Sequence, residues 1–190
     1  MYSKLISHIR NYIHFEDSDI EILSQYITLL DLKSKQFVLE EGQVCKAYYF
    51  IETGCMRMFF HNDKGTEQTI QFALEGWWMT DFMSLSNQKA SDYYIQAIEN
   101  SSVLAIGFHD FQKMILELPS LERYFRLVTE RALAASQFRM KLLYELSKEE
   151  IYKHFKTSFP EFVQRVPQYM LASFLGLTPE YLSEIRKKNP

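Results

Sequence analysis

The chain of 190 residues lacks the features that mark membrane-spanning, secreted and metal-binding proteins. It contains no apolar run long enough to cross a bilayer, and its first residues do not form the apolar core of a signal peptide. The two cysteines, Cys45 and Cys55, are too few to hold an iron–sulfur cluster or a zinc ribbon, and we expect both to be buried thiols. These absences favour a cytoplasmic protein with no membrane partner.

Residue patterns typical of catalysis are also missing. The β-rich part of the chain contains only one histidine, His61, and so lacks the His-x-His pair of a metal-dependent cupin enzyme. There is no Gly-rich phosphate loop, nucleophile elbow or Cys/His pair. A haem needs an axial ligand on a pocket wall, for which His61 or His109 alone is a weak indication. We therefore predict no enzymatic activity, no cofactor and no metal site.

The charge of the chain is unevenly distributed. The formal net charge is −3, but residues 147–190 carry +2 and the remainder carries −5. The sign of this difference favours the C-terminal end as the part that faces phosphates.

The residues 166–188 have the pattern of a helix-turn-helix. Four apolar positions would form the seam of two crossed helices: Leu171, Leu175, Leu182 and Ile185. Ala172 is small where the helices approach, and Gly176 suits a turn that requires φ > 0. Thr178 suits the N-cap and Pro179 the first position of the second helix. The alternative is a surface hairpin of two helices without a nucleic-acid role, and the coincidence of these features favours the helix-turn-helix.

Between Thr28 and Ile106 the chain consists of short β-rich runs separated by turn residues. The runs are 37–39, 47–51, 55–60, 69–72, 93–98 and 102–106. Asn62-Asp-Lys-Gly65 is a strong hairpin signal. This spacing predicts an antiparallel barrel of the jelly-roll type. Before it, we expect one helix within residues 1–13 and a second opened by a capping box at Ser18-x-x-Glu21.

A long helix is predicted for residues 121–146. Alternating steps of four and three place apolar side chains on one seam, at Leu121, Phe125, Val128, Ala132, Ala135 and Leu142. Such a seam predicts a parallel coiled coil with a second copy of the chain, and therefore a homodimer. The alternative is a single amphipathic helix that lies on its own barrel.

The predicted fold class is α+β, with three parts. Residues 1–120 form a sensory antiparallel β-barrel with flanking helices, and residues 121–146 form the dimerisation helix. Residues 147–190 form a helix-turn-helix domain, which opens with a capping box at Ser147-Lys-Glu-Glu150.

This order of elements resembles the Crp/Fnr family of bacterial transcription regulators over essentially the whole chain. The local matches are Glu41-Gly42, the run Tyr48 to Gly54 and the run Ala172 to Ile185. The resemblance implies double-stranded DNA, a second copy of the chain and RNA polymerase as partners, and a barrel that senses a small molecule. An iron–sulfur sensor of the Fnr type would need an N-terminal cysteine cluster, and the first 44 residues contain no cysteine.

The sequence departs from the cyclic-nucleotide-binding members of that family at the ligand cassette. Their cassette opens with Gly-Glu and closes with Arg-Ser/Thr-Ala. Here Gly76 is followed by Trp77, and the closing places read Ser91-Asp92-Tyr93. A phosphate would meet the Asp92 carboxylate and find no fork of donors. The resemblance therefore implies an effector other than cyclic AMP.

An aromatic and acidic set in the same region is the candidate effector site. Its members are Trp77, Trp78, Asp81, Phe82, Asp92, Tyr93 and Tyr94. Such residues could bind a planar or cationic molecule by stacking and cation–π contact. The alternative is that the rings fill a ligand-free barrel.

The recognition helix supplies the candidate DNA contacts. Glu180 falls where many family members carry a base-reading glutamate, and a carboxylate can accept from cytosine N4. The family's neighbouring arginine is replaced by Pro179, which removes a guanine contact. We predict that DNA is contacted by Gln168, Thr178, Glu180, Tyr181, Ser183, Arg186, Lys187 and Lys188. The alternative function is an effector-binding module that acts through protein contacts without reading DNA.

Overall fold

The computed structural model describes residues 2–188. The chain divides into two compact units, of which the first comprises the N-terminal part to Phe60 together with Phe72–Glu130. The second comprises His61–Gln71 and the chain from Arg131 onward. This division falls within the long helix, and the expected domain limits at residues 120 and 146 stay predictions.

The strands form two four-stranded antiparallel sheets, as the spacing of the β-rich runs predicts. The strands are β1 (Thr28–Leu32), β2 (Phe37–Leu39), β3 (Ala47–Thr53), β4 (Met56–His61), β5 (Glu67–Ala73), β6 (Trp78–Met79), β7 (Tyr94–Ala97) and β8 (Ser101–Gly107). One sheet has the order β1-β8-β3-β6 and the other β2-β7-β4-β5. Two strands, β1 and β6, were not among the predicted runs. A strand of two residues such as β6 has no periodicity of its own.

The helices account for most of the remaining chain. They are α1 (Ser3–Arg10), α2 (Asp17–Ser24), α3 (Phe82–Asn87), α4 (Phe108–Glu117), α5 (Ser120–Glu145), α6 (Lys148–Ser158), α7 (Pro160–Arg165), α8 (Gln168–Leu175) and α9 (Pro179–Lys188). The short helices α3 and α7 were not predicted.

One of the two predicted capping boxes is wrong. The N-cap of α2 is Glu16, whose backbone N–H donates to Asp19 Oδ2 at 2.9 Å. Ser18 is therefore already helical, and its spacing to Glu21 places both residues inside the helix. At α6 the predicted box is confirmed, since Ser147 N–H donates to Glu150 Oε2 at 2.8 Å.

The core of the first unit lies between the β1-β8-β3-β6 sheet and the helices that precede and follow it. Leu5 and Ile9 of α1 pack with Phe50 of β3 and Leu104 of β8, and all four are at most 1% exposed. Both cysteines are buried, as expected, and neither forms a disulfide.

Candidate nucleic-acid interface and effector region

The two C-terminal helices cross at the predicted helix-turn-helix. Its four apolar seam positions are each at most 2% exposed, and Ala172 is fully buried. The turn is set by Gly176, which has φ 69° and ends α8 in the left-handed conformation. Leu177 N–H then donates to Ala172 O at 2.9 Å, which closes the end of the helix. The shared seam fixes where the outer face of α9 lies.

The start of α9 is defined by its N-cap. Thr178 Oγ1 accepts a hydrogen bond from Tyr181 N–H at 3.2 Å, and Pro179 is the first helical residue. The predicted cap is therefore present. Because the Thr178 hydroxyl already bonds to this backbone group, its role in DNA contact would have to be compatible with capping.

The predicted DNA-facing residues of the recognition helix are all accessible. Glu180, Tyr181, Ser183, Arg186, Lys187 and Lys188 are exposed, whereas Gln168 in the first turn of α8 is partly buried. Glu180 lies in the first turn of α9, and Arg186, Lys187 and Lys188 lie in its last turn. This arrangement also suits the helix macrodipole.

A cleft of about 680 Å³ lies beside the recognition helix and brings part of this set together. Its polar lining includes Lys156, Gln164, Gln168, Ser183, Arg186 and Lys187. Lys156 and Gln164 were not among the predicted contacts, because they lie on α6 and α7 outside the helix-turn-helix pattern. The basic balance of residues 147–190 is a signal for Lys156, whereas the uncharged Gln164 has none.

The candidate effector residues differ in their exposure and in the side chains that they contact. Trp77 is 51% exposed, whereas the next residue, Trp78, is partly buried. The ring of Trp78 packs 5.2 Å from Phe50 and 5.0 Å from Phe125, centroid to centroid. The Trp78 ring therefore packs against the core of the first unit.

A hydrogen-bonded trio that no sequence pattern indicated holds Trp78 in place. Its Nε1–H donates to the hydroxyl of Tyr124 at 2.9 Å, and that hydroxyl lies 2.7 Å from His8 Nδ1. Tyr124 is fully buried, and this burial raises the pKa of its phenol. The trio joins α1, β6 and α5. No local motif could have revealed it, because its three members are far apart in the sequence.

The two acids of the predicted set have different surroundings. Asp81 is 5% exposed and caps α3, since its carboxylate accepts from the N–H groups of Met83 and Ser84. Its second oxygen accepts from Ser91 Oγ at 2.6 Å. Asp92 is exposed. Asp81 therefore has a structural role that explains its burial without a ligand.

Tyr93, Tyr94 and Phe82 each contact a different aromatic ring, and the partner of Phe82 is Tyr48. Tyr94 stacks on Phe59 with centroids 5.0 Å apart and donates to Glu41 at 3.1 Å. The hydrogen bond raises the pKa of Tyr94. Tyr93 meets Phe60 edge to face, and Phe82 is 56% exposed. Joint ligand binding by these residues stays a prediction.

The N-terminal half of the predicted dimer seam packs against its own unit. Leu121 is fully buried in the core of the first unit, and Phe125 and Val128 pack against the same cluster. Leu142 is only 9% exposed. Leu121 and Leu142 are thus covered by their own chain, and their assignment to a dimer interface stays a prediction.

The middle of α5 is open. Every residue from Arg131 to Phe138 is exposed, including the predicted seam residues Ala132 and Ala135. Large apolar side chains are exposed on the same helix at Leu133, Phe138, Met140, Leu143 and Tyr144. This helix therefore presents a wider apolar surface than the predicted seam.

Arg139 occupies the step of the predicted seam between Ala135 and Leu142, and it is polar there for a structural reason. Within the second unit its Nη1 donates to Ile70 O at 3.0 Å and its Nη2 to Phe174 O at 2.5 Å. Its guanidinium carbon lies 3.9 Å from the centroid of the Phe174 ring. Burial lowers the pKa of Arg139 to about 10. It therefore holds α5, β5 and α8 together within the second unit.

Residues 2–188 are free of two features, a metal-binding cluster and a membrane-spanning helix. Residues 2–188 contain no group of three or more His, Cys, Asp or Glu side chains that could hold a metal ion. In the same range, no helix is both long enough and apolar enough for a bilayer span.

Comparison with known proteins gives matches in sequence and in fold. A family model, the cyclic nucleotide-binding domain, matches residues 29–117. The transcriptional activator protein Anr of Pseudomonas protegens is 25% identical over 167 residues, which cover 81% of this chain and 67% of that protein. The regulatory protein HlyX of Actinobacillus pleuropneumoniae is 22% identical over 165 residues, 81% of this chain and 68% of that protein. The match thus spans about two thirds of the length of these relatives.

Solved structures extend the likeness to the fold of nearly the whole chain. CLP of Xanthomonas campestris, a c-di-GMP responsive global regulator, has a TM-score of 0.72 at 16% identity, covering 91% of each chain. FixK2 of Bradyrhizobium japonicum has a TM-score of 0.69 at 19% identity, covering 85% of this chain and 83% of its own. The barrel and the helix-turn-helix therefore occur together in proteins of the same fold.

Proposed function

We propose that this chain is a DNA-binding transcription regulator that acts in the cytoplasm as a homodimer. Its match to the cyclic nucleotide-binding domain and its similarity to transcription regulators of the Crp/Fnr family support the proposal. The observation that carries the proposal is the helix-turn-helix. Its seam is fully buried, its second helix is capped at Thr178, and the outer face of that helix is exposed. The relatives are regulators, and enzymatic activity is not part of the proposal.

Different residues of the recognition helix contact the bases and the phosphate backbone. Glu180, in the first turn, accepts from cytosine N4 in the major groove and supplies specificity but little affinity, because phosphates repel a carboxylate. Tyr181 contacts a thymine methyl group or a phosphate. Arg186, Lys187 and Lys188 neutralise backbone phosphates and supply affinity that depends on salt.

A second copy of the chain covers the open part of α5. Ala132 and Ala135 allow close helix approach, and the exposed side chains of Leu133 and Met140 lie one heptad apart. A large exposed apolar surface on a helix is typical of an interface. Two recognition helices related by a two-fold axis then read two half-sites about one DNA turn apart. RNA polymerase is the further proposed partner.

The proposed effector is a small molecule other than cyclic AMP. Residues 76–93 contain no arginine, so this segment has no guanidinium to pair with a cyclic phosphate. Ser91 donates to Asp81, and Asp92 adds a second carboxylate to this segment. An anion there would be repelled. The planar or cationic ligand suggested by the aromatic residues can be sought by thermal shift with metabolites, since a ligand at a hundred times its Kd adds roughly 2.7 kcal/mol.

A mobility-shift assay on the DNA upstream of the protein's own gene tests the proposal. We expect binding that prefers that sequence over a scrambled duplex and weakens as salt rises. A module that acts only through protein contacts would show neither property. The same assay with cyclic AMP tests the effector, and tighter DNA binding that Trp77→Ala abolishes would contradict the exclusion of cyclic AMP.

A further inference from the structure

The cleft beside the recognition helix extends beyond the helix-turn-helix. One wall is formed by Ser183, Arg186 and Lys187 of α9. The opposite side includes Lys156 of α6 and Gln164 of α7, which precede the two helices of the motif. A molecule in this cleft would therefore contact both the recognition helix α9 and the helices α6 and α7.

The charge of the cleft is of one sign. Its lining includes three basic side chains, Lys156, Arg186 and Lys187, and no acidic residue among the lining residues that the structure describes. The two acids of α9, Glu180 and Glu184, are not part of that lining. Three cations around one cavity raise the local potential for an anion, and a concave wall strengthens the effect.

The position of Lys156 on α6 differs from that of its neighbour Lys153. Tyr152 and Lys156, four residues apart and therefore on one face of the helix, both line the cleft. Lys156 is partly buried, as expected if its stem lies along the wall. Lys153 is exposed and its Nζ lies 3.0 Å from Glu149 Oε1. The two lysines thus form a matched pair, one in the cleft and one outside it.

The first turn of α8 adds polar groups to the same cleft. Gln168 is the first residue of that helix, whose initial N–H groups have no partner within the helix. Its Oε1 atom is shielded from solvent and has no hydrogen-bond partner among the described residues. Rotation of this carboxamide would present N–H donors instead. Helix N-termini with free donors favour phosphate oxygens.

We propose that this cleft seats a backbone phosphate of the bound duplex and that Lys156 is a DNA-backbone contact outside the helix-turn-helix. This inference rests on the proposed function. The contact is independent of sequence, because a phosphate carries no base information. It anchors α6 to the same DNA strand that Arg186 contacts and thereby fixes how deeply α9 enters the groove.

Salt titration of DNA binding tests the role of Lys156. The probe is a duplex that the wild-type protein itself enriches from a random library, and the variants are Lys156→Gln and the matched control Lys153→Gln. Loss of one phosphate contact lowers the salt slope by about one. Between about 50 mM and about 200 mM salt, the affinity of Lys156→Gln should therefore fall about 3.5-fold less than that of wild type. The enriched sequence should stay the same, and Lys153→Gln should match wild type.

The outcomes of the salt titration separate the role of Lys156 from the proposed function. If Lys156→Gln is folded by circular dichroism and keeps the wild-type slope while Arg186→Gln lowers it, Lys156 does not contact the backbone and the proposed function stands. If the wild-type protein enriches no sequence, both proposals fail.

A free anion is the competing occupant. Millimolar pyrophosphate could raise the melting temperature of wild type and Lys153→Gln but not that of Lys156→Gln. If the salt slopes of DNA binding are also unchanged, the cleft binds a free phosphate ligand, and the inference is wrong.

Discussion

The buried hydroxyl of Tyr124 provides a direct test of how the long helix is attached to the first unit. Tyr124→Phe removes one oxygen atom and leaves the ring in place. The Nε1–H of Trp78 then loses its acceptor at 2.9 Å, and His8 Nδ1 loses its partner at 2.7 Å. Leaving a buried polar group without a partner costs about 1–3 kcal/mol. We therefore expect the free energy of unfolding to fall by about 2 kcal/mol.

The control for this change lies on the same helix. Tyr144 is 86% exposed, so Tyr144→Phe removes the same atom from a position in water and should change stability by no more than about 0.5 kcal/mol. At about 2–4 °C per kcal/mol for a chain of this size, Tyr124→Phe should lower the melting temperature by roughly 4–8 °C. Thermal unfolding followed by circular dichroism measures both. Equal melting temperatures for the two variants would mean that the trio does not stabilise the contact between α5, α1 and β6.

Three further predictions concern the helix-turn-helix and the proposed dimer. Gly176→Ala should destabilise the chain by about 1–2 kcal/mol, because a side chain at φ 69° is strained, and urea unfolding measures this. Ala135→Glu should weaken self-association in sedimentation, whereas Gln137→Glu on another side of α5 should not; equal effects would place the interface elsewhere. Glu180→Ala should relax the preference at one C·G pair by about 1–3 kcal/mol, and an unchanged preferred site would assign base reading to another residue.

Local signals in the sequence were sufficient to predict the helix-turn-helix. Gly176, Thr178 and Pro179 act through backbone conformation within a few residues, so their roles follow from the sequence alone, and the structure shows each at its expected place. At α2 a local signal was misleading, because two overlapping capping patterns exist and the structure uses Glu16 with Asp19. Spacing alone does not choose between them.

Long-range packing could not be predicted in the same way. The seam from Leu121 predicts that one face of α5 is covered, but periodicity does not state whether its own barrel or a second copy covers it. The structure shows that the first turns meet their own core. Similarly, Trp77 and Trp78 are adjacent in sequence, yet neighbouring residues near a strand point to opposite sides. Their grouping in one pocket therefore did not follow from their proximity in the chain.

Selection of DNA from a random library tests the central claim most directly. If the chain is a dimeric reader of DNA, the wild-type protein should enrich one motif with two inverted half-sites whose centres lie about 10–10.5 base pairs apart. Its affinity for that motif should fall steeply with salt. A library that remains unenriched after repeated rounds, under conditions in which the protein is folded, would contradict the account.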